Sequence, residues 1–467
     1  MNENMYGKIP YNVCQILKTL NDNGYQGYIV GGAVRDYVMG REPHDWDIAT
    51  NATPDRVKDL FDKTVDTGIK HGTVTAMVAG EGFEITTYRT DGKYSDGRHP
   101  DSICFRDDIK DDLGRRDFTI NAMAMDINGK IADPYGGLED IKKDIIRCVG
   151  NPDERFSEDA LRMMRAVRFE SKFDFELDES VRNAIKRNTD KLSNVSAERV
   201  RDEFTKMLLS ENPTKGFIDA YKTGITSKVL PEFDKMMECE QNVPSHYANV
   251  GIHSLDAVKS IRPDANLRWA MLLHDVGKPD TKGVNSKGYD SFYDHPEKSA
   301  EIANNICTRL KFSNADKKEI VNLVEMHEFV AKKDSKIRYF AAKYGEDFIK
   351  KLGEVKDADV SAHVKECSYE FRAENHKFID KALGFIKDGT AIKPKDLKIN
   401  GNELKQYGIT GKAIGKFMES AYLDCLGQPE LNTKEMLLQR AEKHMERVRY
   451  AEAKAQKDIK LNDRQYE

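Results

Sequence analysis

Tyr28-Ile29-Val30-Gly31-Gly32-Ala33-Val34-Arg35-Asp36, followed after a short spacer by Asp45-Trp46-Asp47-Ile48-Ala49-Thr50, is the stretch that decides the fold. Tyr28, Ile29 and Val30 read as a strand that enters a tight Gly-Gly turn and then a short helix. Asp45 and Asp47 are expected on a second strand, where a period of two puts both carboxylates on one face. Glycine N–H groups ahead of a helix make a phosphate cradle, here Gly31 and Gly32. Two hard oxygen ligands beside it suit Mg²⁺, which takes few carboxylates together with substrate phosphates and water. The parts add up to two-metal phosphoryl transfer, one ion activating a hydroxyl and the other stabilising the leaving pyrophosphate. An isolated Asp-x-Asp is usually surface charge. Its coupling to the glycine turn and to Arg35 gives it weight.

Outward from this stretch, residues 74–78 and 83–88 read as strands of a hairpin, joined by Ala79-Gly80-Glu81-Gly82. Gly and Asp cluster between Asp91 and Arg98, which suggests a mobile loop, and Asp133-Pro134-Tyr135-Gly136-Gly137 is another turn. After about residue 152 strand signals nearly vanish. Ser157 is expected to cap a helix running through Phe169, with Glu158 and Asp159 in its first turn and Leu161, Met164 and Val167 as its apolar stripe. The remainder reads as helices and short loops ending in a charged, polar tail. The 467 residues imply two to four domains. Charged residues at 33% and apolar ones at 39% suit a helix-rich globular protein. No apolar run approaches the roughly 18 residues of a membrane span. Met1-Asn2-Glu3-Asn4 lacks the basic-then-apolar pattern of a secretory leader, so a cytoplasmic protein is expected. The seven cysteines include no C-x-x-C pair and read as reduced thiols. The net charge of −5 runs against nucleic-acid binding. Locally, however, Arg155, Arg162, Arg165, Arg168 and Lys172 cluster, followed by Arg182, Lys186 and Arg187; a solvated helix face is the other reading of that cluster.

The run from Gly31 to Val57 resembles the catalytic signature of the class II tRNA nucleotidyltransferase and bacterial poly(A) polymerase family. Arg115 to Ala124 resembles that family's second motif, which implies nucleotide and ribose handling by Arg116, Asp117 and Asn121. Arg89 to Arg98 resembles the flexible loop tied to the switch from C to A addition. Asp133, Gly136 and Gly137 match the hinge after the head, and Lys395 to Arg440 resembles the C-terminal body. By the same resemblance Glu84 is a candidate third catalytic carboxylate beside Asp45 and Asp47; an acid facing solvent is the alternative. The likeness touches most of the chain outside roughly 235–375. It implies CTP, ATP and a tRNA 3′ end as substrates, Mg²⁺ as the head's cofactor, and no membrane partner.

Glu158-Asp159-Ala160-Leu161-Arg162 resembles the family's nucleotide-selecting motif. Asp159 and Arg162, at i and i+3, are expected to share a helix face. Asp accepts hydrogen bonds and Arg donates them. Cytosine and adenine each offer an amino donor beside a ring-nitrogen acceptor, whereas uracil and guanine offer the reverse. A bidentate contact of this sort discriminates by about 1–3 kcal/mol. The alternative is an ordinary intrahelical ion pair worth about 0.2–0.5 kcal/mol. Arg165 and Arg168, further along the same helix, are read as nucleotide-binding.

His274-Asp275-Val276-Gly277-Lys278-Pro279 follows an apolar run, with His253 upstream and His295, His327 and Asp359 downstream. Adjacent imidazole and carboxylate suit Mn, Co, Ni, Fe or Zn better than Ca. A water acidified by such an ion attacks phosphate esters. The string resembles the HD phosphohydrolase superfamily, which implies His253, His274, Asp275 and Asp359 as ligands of a divalent transition metal, with Asp357 a near alternative to Asp359. His295 and His327 are candidates for a second metal or for phosphate contact.

The expected fold is α+β: a polymerase-β-like head over 1–151, a helical neck with the nucleotide-selecting helix over 152–234, an HD domain over 235–375 and a helical, tRNA-binding body and tail over 376–467. The expected reaction is template-independent addition of C, C and A, alongside HD hydrolysis of 2′,3′-cyclic phosphates, 2′-nucleotides or related esters. A poly(A) polymerase, an enzyme adding only CC or only A, and an RNA-binding protein with one inactive catalytic unit are the rivals. No strongly basic element after the hinge favours the first, and intact acids and histidines disfavour the last.

Overall fold

The computed structural model describes residues 9–94 and 97–463; Met1 to Asn4, and Ser95 and Asp96 of the expected loop, lie outside the described residues. By contact the chain divides into two units, 1–241 with 248–320, and 242–247 with 321–467, so the segment 235–375 is shared between them.

The first unit opens with helix α1 (Tyr11–Asp22), whose Val13, Ile16, Leu17 and Leu20 are fully buried. That spacing is one helical face, and each such side chain contributes about 1.5–3 kcal/mol on burial. It packs on a mixed sheet, and a short helix α2 (Gly32–Val38) follows the first strand. The strands are β1 (Gly27–Val30), β2 (Ile48–Thr50), β3 (Thr64–Gly68), β4 (Thr73–Val78), β5 (Glu81–Thr87), β6 (Arg89–Asp91), β7 (Ile103–Phe105), β8 (Ala124–Met125) and β9 (Ile131–Ala132). Seven of them pair in the order β3-β4-β5-β2-β1-β8-β9, and β6 pairs with β7 separately. The hairpin expected at 74–88 is β4–β5, turned by Ala79 at φ +51° and Gly80 at φ +87°. β2 runs parallel to β5, with Ile48 opposite Ile85. Alternation holds on β1: Ile29 joins the core under α1, while Val30 faces a second core with Ala49, Tyr88 and Leu113.

Two local expectations are corrected. β2 begins at Ile48, so Asp45 and Asp47 lie on the extended segment leading into it rather than within the strand. Only the Asp47 carbonyl enters the sheet, accepting from Val30 N at 3.0 Å. Ser157 is not a helix cap. Helix α3 (Pro152–Glu158) starts earlier, capped by Asn151 with Pro152 at its first position, and Ser157 Oγ donates to the Asp153 carbonyl in its last turn. Asp159 has an extended backbone and breaks the helix, and α4 (Leu161–Phe173) follows. The residue expected inside a first helical turn is therefore a hinge between two helices.

Helices α5 (Ala197–Leu208) and α6 (Pro213–Thr223) pack on α4. At the far end of α4, Glu170 is fully buried beside Asp219. Burial, then the Asp219 charge, pushes its carboxyl up to about 9, against Lys215 and Arg182. The folded state thus holds a proton that the unfolded chain releases near pH 4.5. This raised carboxylate costs nothing below pH 4.5, and stability is lost as pH climbs from there towards 9. Glu170→Gln, which keeps the shape and removes the ionisation, is expected to melt higher than the parent at pH 8, by on the order of 3 kcal/mol, and equally at pH 4.5. A Tm difference that does not change between pH 5 and 9 contradicts this.

The first unit continues with α7 (Val250–Ser260), α8 (Ala265–Leu273) and α9 (His295–Arg309). Buried Arg268 of α8 donates to the Leu208 carbonyl and, at 2.9 Å, to that of Ser210, closing the open end of α5. The second unit is helical. It includes α10 (Asp334–Tyr344), α11 (Glu346–Ser361) and α12 (Lys412–Gly427), and Leu404, Ala421, Cys425, Leu437 and Ala441 lie in a core of its own. No described helix is long and apolar enough to cross a membrane.

Candidate active sites of the head and the histidine cluster

Gly31 takes φ +70°, open to glycine at little cost, and a Cβ there would lie 2.7 Å from Arg116 Nη1. The turn can therefore approach Arg116 closely, and both border a cavity of about 280 Å³. Gly32, Arg35, Asp47, Asp117 and Asn121 border the same cavity, with Arg165 and Arg168 from α4. Nine residues singled out from two distant sequence motifs and one helix thus meet at one place. Lys172 and the Phe169 ring complete it. The five cationic side chains outnumber Asp47 and Asp117, a lining that suits a polyanion such as a triphosphate.

Hydrogen bonds fix this lining. Arg35 Nη1 donates to Asn121 Oδ1 at 2.5 Å, and Asn121 Nδ2 to Asp117 Oδ1 at 3.0 Å. Arg165 reaches Asp117 Oδ2 at 2.6 Å. Burial opposes the Asp117 charge, but Arg165, Asn121 and Arg162 more than offset it and hold the carboxyl well below the usual range. Arg168 pairs with Glu203 at 2.5 Å and lies 4.1 Å from the Phe169 ring centre. Desolvation raises the Asp47 carboxyl, with Arg116 opposing and Asp45 adding to the rise. The Asp45 charge is thus felt at Asp47, although Asp45 itself does not border the cavity.

A second cavity of about 350 Å³ is bordered by Glu84, Arg89, Asp91, Tyr94, Asp159 and Arg162, among others. Glu84, an exposed residue of β5, therefore lies with Asp159 and Arg162 and not in the first cavity with Asp47. Asp159 and Arg162 do not pair with each other. Asp159 Oδ1 accepts from Leu161 N at 3.0 Å and Oδ2 from Arg199 Nη2 at 2.6 Å. Arg162 pairs with Glu158 at 2.5 Å and donates to the Arg115 carbonyl at 3.2 Å. The simple intrahelical ion pair is excluded: each member is held by another partner, and both side chains border the cavity. Tyr94 Oη donates to Asp91 at 2.6 Å, which ties part of the expected loop to β6.

In the first unit the His-Asp step is a buried cluster. His274 follows α8 directly, His253 lies on α7 and His295 opens α9. Asp275 Oδ2 is 3.3 Å from His274 Nε2, 3.5 Å from His253 Nε2 and 2.7 Å from Lys278 Nζ; Oδ1 is 3.2 Å from His295 Nε2. His274 and His295 use Nδ1 towards the carbonyls of Met271, at 2.7 Å, and Phe292, at 2.8 Å. Those contacts place the proton on Nδ1 and leave the inward Nε2 atoms as lone-pair donors. His253 and His274 point Nε2 atoms at each other across 3.3 Å. Facing lone pairs beside a carboxylate are the donor chemistry of a divalent cation site. Burial opposes the Asp275 charge, yet His274 and Lys278 hold its carboxyl well below the ordinary range. Gly277 makes the packing possible: a Cβ there would come within 2.6 Å of Ser299 N.

In the second unit His327 is buried, with Nδ1 at 2.7 Å from the Val324 carbonyl, and the buried Lys356 donates to the His327 carbonyl at 2.8 Å. Asp359 lies 3.5 Å from His363 Nε2. Its near alternative, Asp357, is engaged by His376 at 2.8 Å.

Family models match three segments of the chain. Residues 27–147 match the poly A polymerase head domain, 174–237 the "Probable RNA and SrmB- binding site of polymerase A", and 246–362 the HD domain. Over these three segments the chain resembles poly A polymerase heads, their RNA-binding region and HD domains. It is 49% identical over 229 residues to the CCA-adding enzyme of Lactobacillus helveticus, covering 49% of this chain and 57% of that one. It is 51% identical over 214 residues to that of Lactobacillus johnsonii, covering 46% and 54%. The chain thus spans little more than half the length of these curated relatives. The crystal structure of the Bacillus stearothermophilus CCA-adding enzyme in complex with CTP superposes with a TM-score of 0.67 at 27% identity, covering 95% of this chain and 98% of that one. The Thermotoga maritima CCA-adding enzyme complexed with tRNA-CCA shares the fold, at a TM-score of 0.56 and 22% identity over 94% of this chain and 97% of that one. Nucleotidyltransferase heads and HD domains generally use divalent metals.

Sequence reasoning missed two residues of these sites. Arg199, which holds Asp159, stands 40 positions away on α5, and nothing local marks it. Lys278 was visible in the His-Asp string, three residues beyond Asp275. That spacing is one helical turn, and it could have pointed to the contact.

Proposed function

We propose that this chain adds C, C and A to the 3′ end of tRNA from CTP and ATP, releasing pyrophosphate, as a cytoplasmic enzyme. The observation that carries the reading is the convergence of Gly31, Gly32, Arg35, Asp47, Arg116, Asp117, Asn121, Arg165 and Arg168 on one cationic cavity. Asp45 and Asp47 would hold Mg²⁺, whose oxygen preference fits a pair of carboxylates without imidazole. When bound, such ions acidify the attacking hydroxyl and neutralise charge on the departing pyrophosphate. The chain's own side chains do the positioning. Arg116, Arg165, Arg168 and Lys172 face the triphosphate, and Asp117 keeps Arg165 in place. Asp159 accepts from the amino group of C or A while Arg162 donates to the adjacent ring nitrogen. Glu84, beside that pair, is the candidate third carboxylate.

His253, His274 and Asp275 would hold a transition metal such as Mn, Ni or Co, whose bound water serves hydrolysis of 2′,3′-cyclic phosphates or related esters. His295 would contact the phosphate or a second ion. Residues 1–151, 152–234, 235–375 and 376–467 are the corresponding head, neck, HD and body segments.

The test is incubation with tRNA lacking CCA and CTP, ATP or both, with the products sequenced. CTP alone is expected to give CC, ATP alone nothing, and both together CCA. A run of A from ATP alone identifies a poly(A) polymerase instead. Reversing the pattern, Asp159→Arg with Arg162→Asp, is expected to lower the preference for CTP over UTP by roughly tenfold or more. An unchanged preference removes the base-reading role from the pair.

A further inference from the structure

A cavity of about 960 Å³ in the second unit lies between α10 and α12. On α10, Lys336, Tyr339, Phe340, Lys343 and Tyr344 border it. Their spacing of 3, 4, 7 and 8 residues puts them on one helical face, where cations alternate with rings. The opposite wall comes from α12, including Met418, Glu419, Tyr422 and Leu423. Tyr339 is 48% exposed and Leu423 54% exposed, so the cavity mouth is apolar and open. Neither Lys336 nor Lys343 forms an ion pair with an acid among the described residues. Lys343 Nζ instead stands 4.8 Å over the Tyr344 ring.

The walls are preformed. Arg338, on another face of α10, donates to the Leu426 carbonyl at 3.0 Å and packs 4.2 Å from the Phe385 ring, which locks α10 to the end of α12. Tyr422 is tied by its hydroxyl to the Ile392 carbonyl at 3.2 Å. Phe329 and Phe340 stack at 5.0 Å beneath the opening.

We propose that this pocket binds unpaired RNA, taking an unstacked base against the exposed ring of Tyr339 with the flanking phosphates on Lys336 and Lys343. The chemistry is aromatic faces that accept any base, cations free to neutralise phosphate, and a volume at the upper end of small-ligand sites. Glu419 at the rim can accept from a base amino group or a ribose hydroxyl. The choice of RNA as partner rests on the proposed tRNA end-adding function; the aromatic and charge pattern stands without it.

The test uses the full-length protein and a fluorescein-labelled six-nucleotide oligoribonucleotide without secondary structure, titrated by anisotropy at several salt concentrations. Tyr339→Ala is expected to weaken binding about tenfold, in line with loss of one stacked base. Lys336→Glu with Lys343→Glu is expected to weaken it further and to lower the salt slope by about 1.4, two phosphates at roughly 0.7 each. Both lysines are exposed and neither is ion-paired with an acid among the described residues, so these substitutions leave packing intact, which circular dichroism checks. In addition assays the same variants should raise the KM for tRNA and leave kcat at saturating tRNA unchanged. Oligonucleotide affinity and salt slope equal to the parent in both variants overturn the proposal. So does a Leu423→Glu variant that dissociates a dimer in light scattering while RNA binding is untouched, because the pocket then seats a second copy of the chain. If the parent binds the oligonucleotide through the pocket yet extends no tRNA, the pocket stands and the end-adding function falls.

Discussion

Asp47→Ala is expected to lower nucleotide addition by roughly 10³-fold or more, about 4 kcal/mol of barrier, while tRNA binding stays within about twofold of the parent. The expectation follows from position. Asp47 is the acid that borders the cationic cavity beside the glycine turn, and the Asp45 charge is felt at its carboxyl. Every other charge at that place is a cation except Asp117, and Asp117 is committed to Arg165 and Asn121. Asp117 is therefore not available to take over the oxygen-ligand role. Asp47→Asn keeps the shape and removes the charge, so it separates the ligand role from packing. Asp45→Ala is expected to act in the same direction. Radiolabelled CTP incorporation measures the loss, and filter binding measures tRNA affinity. An Asp47→Asn enzyme within tenfold of the parent would sink the carboxylate assignment, whatever the alanine variant does.

Replacing His274 and Asp275 together is expected to abolish metal-dependent phosphoester hydrolysis and to leave CCA addition within about threefold. His274 Nε2 and Asp275 Oδ2 are 3.3 Å apart at the centre of the cluster. Removing both strips the site of two of its inward-facing donors. Asp275 is also the buried partner of Lys278, and leaving one side of a buried pair costs about 3–5 kcal/mol. An alanine at 275 therefore risks the fold. His274→Gln with Asp275→Asn keeps hydrogen-bonding shapes and is the better variant. One purified sample should be assayed twice, for 2′,3′-cyclic nucleotide hydrolysis with Mn²⁺, Co²⁺ or Ni²⁺ and for CCA addition with Mg²⁺. Joint loss in a protein that melts like the parent shows that the two activities are coupled. Retained hydrolysis shows that these side chains are not the ligands.

The sequence by itself was enough for whatever depends on neighbours along the chain. The glycine turn after Tyr28 to Val30, the β4–β5 hairpin and the His-Asp step at the end of an apolar helix are all local patterns. Such patterns are set by φ and ψ preferences and by a period of two or 3.6 residues. The resemblance extended this reach, because it carried site residues that no periodicity reveals. Even locally, the reading placed the start of the selecting helix at Ser157. Asn151 with Pro152 is the stronger cap, and the extended backbone of Asp159 interrupts the helix. Tertiary structure decided the rest. It set Asp47 on the approach to β2, moved Glu84 to the second cavity, and gave Asp159 to Arg199 and Arg162 to Glu158 instead of to each other. It joined Arg35 to Asn121 across 86 positions and buried Glu170 beside Asp219. Charged side chains are long and choose partners by proximity in space, and that proximity exists only after α4, α5 and the sheet have packed.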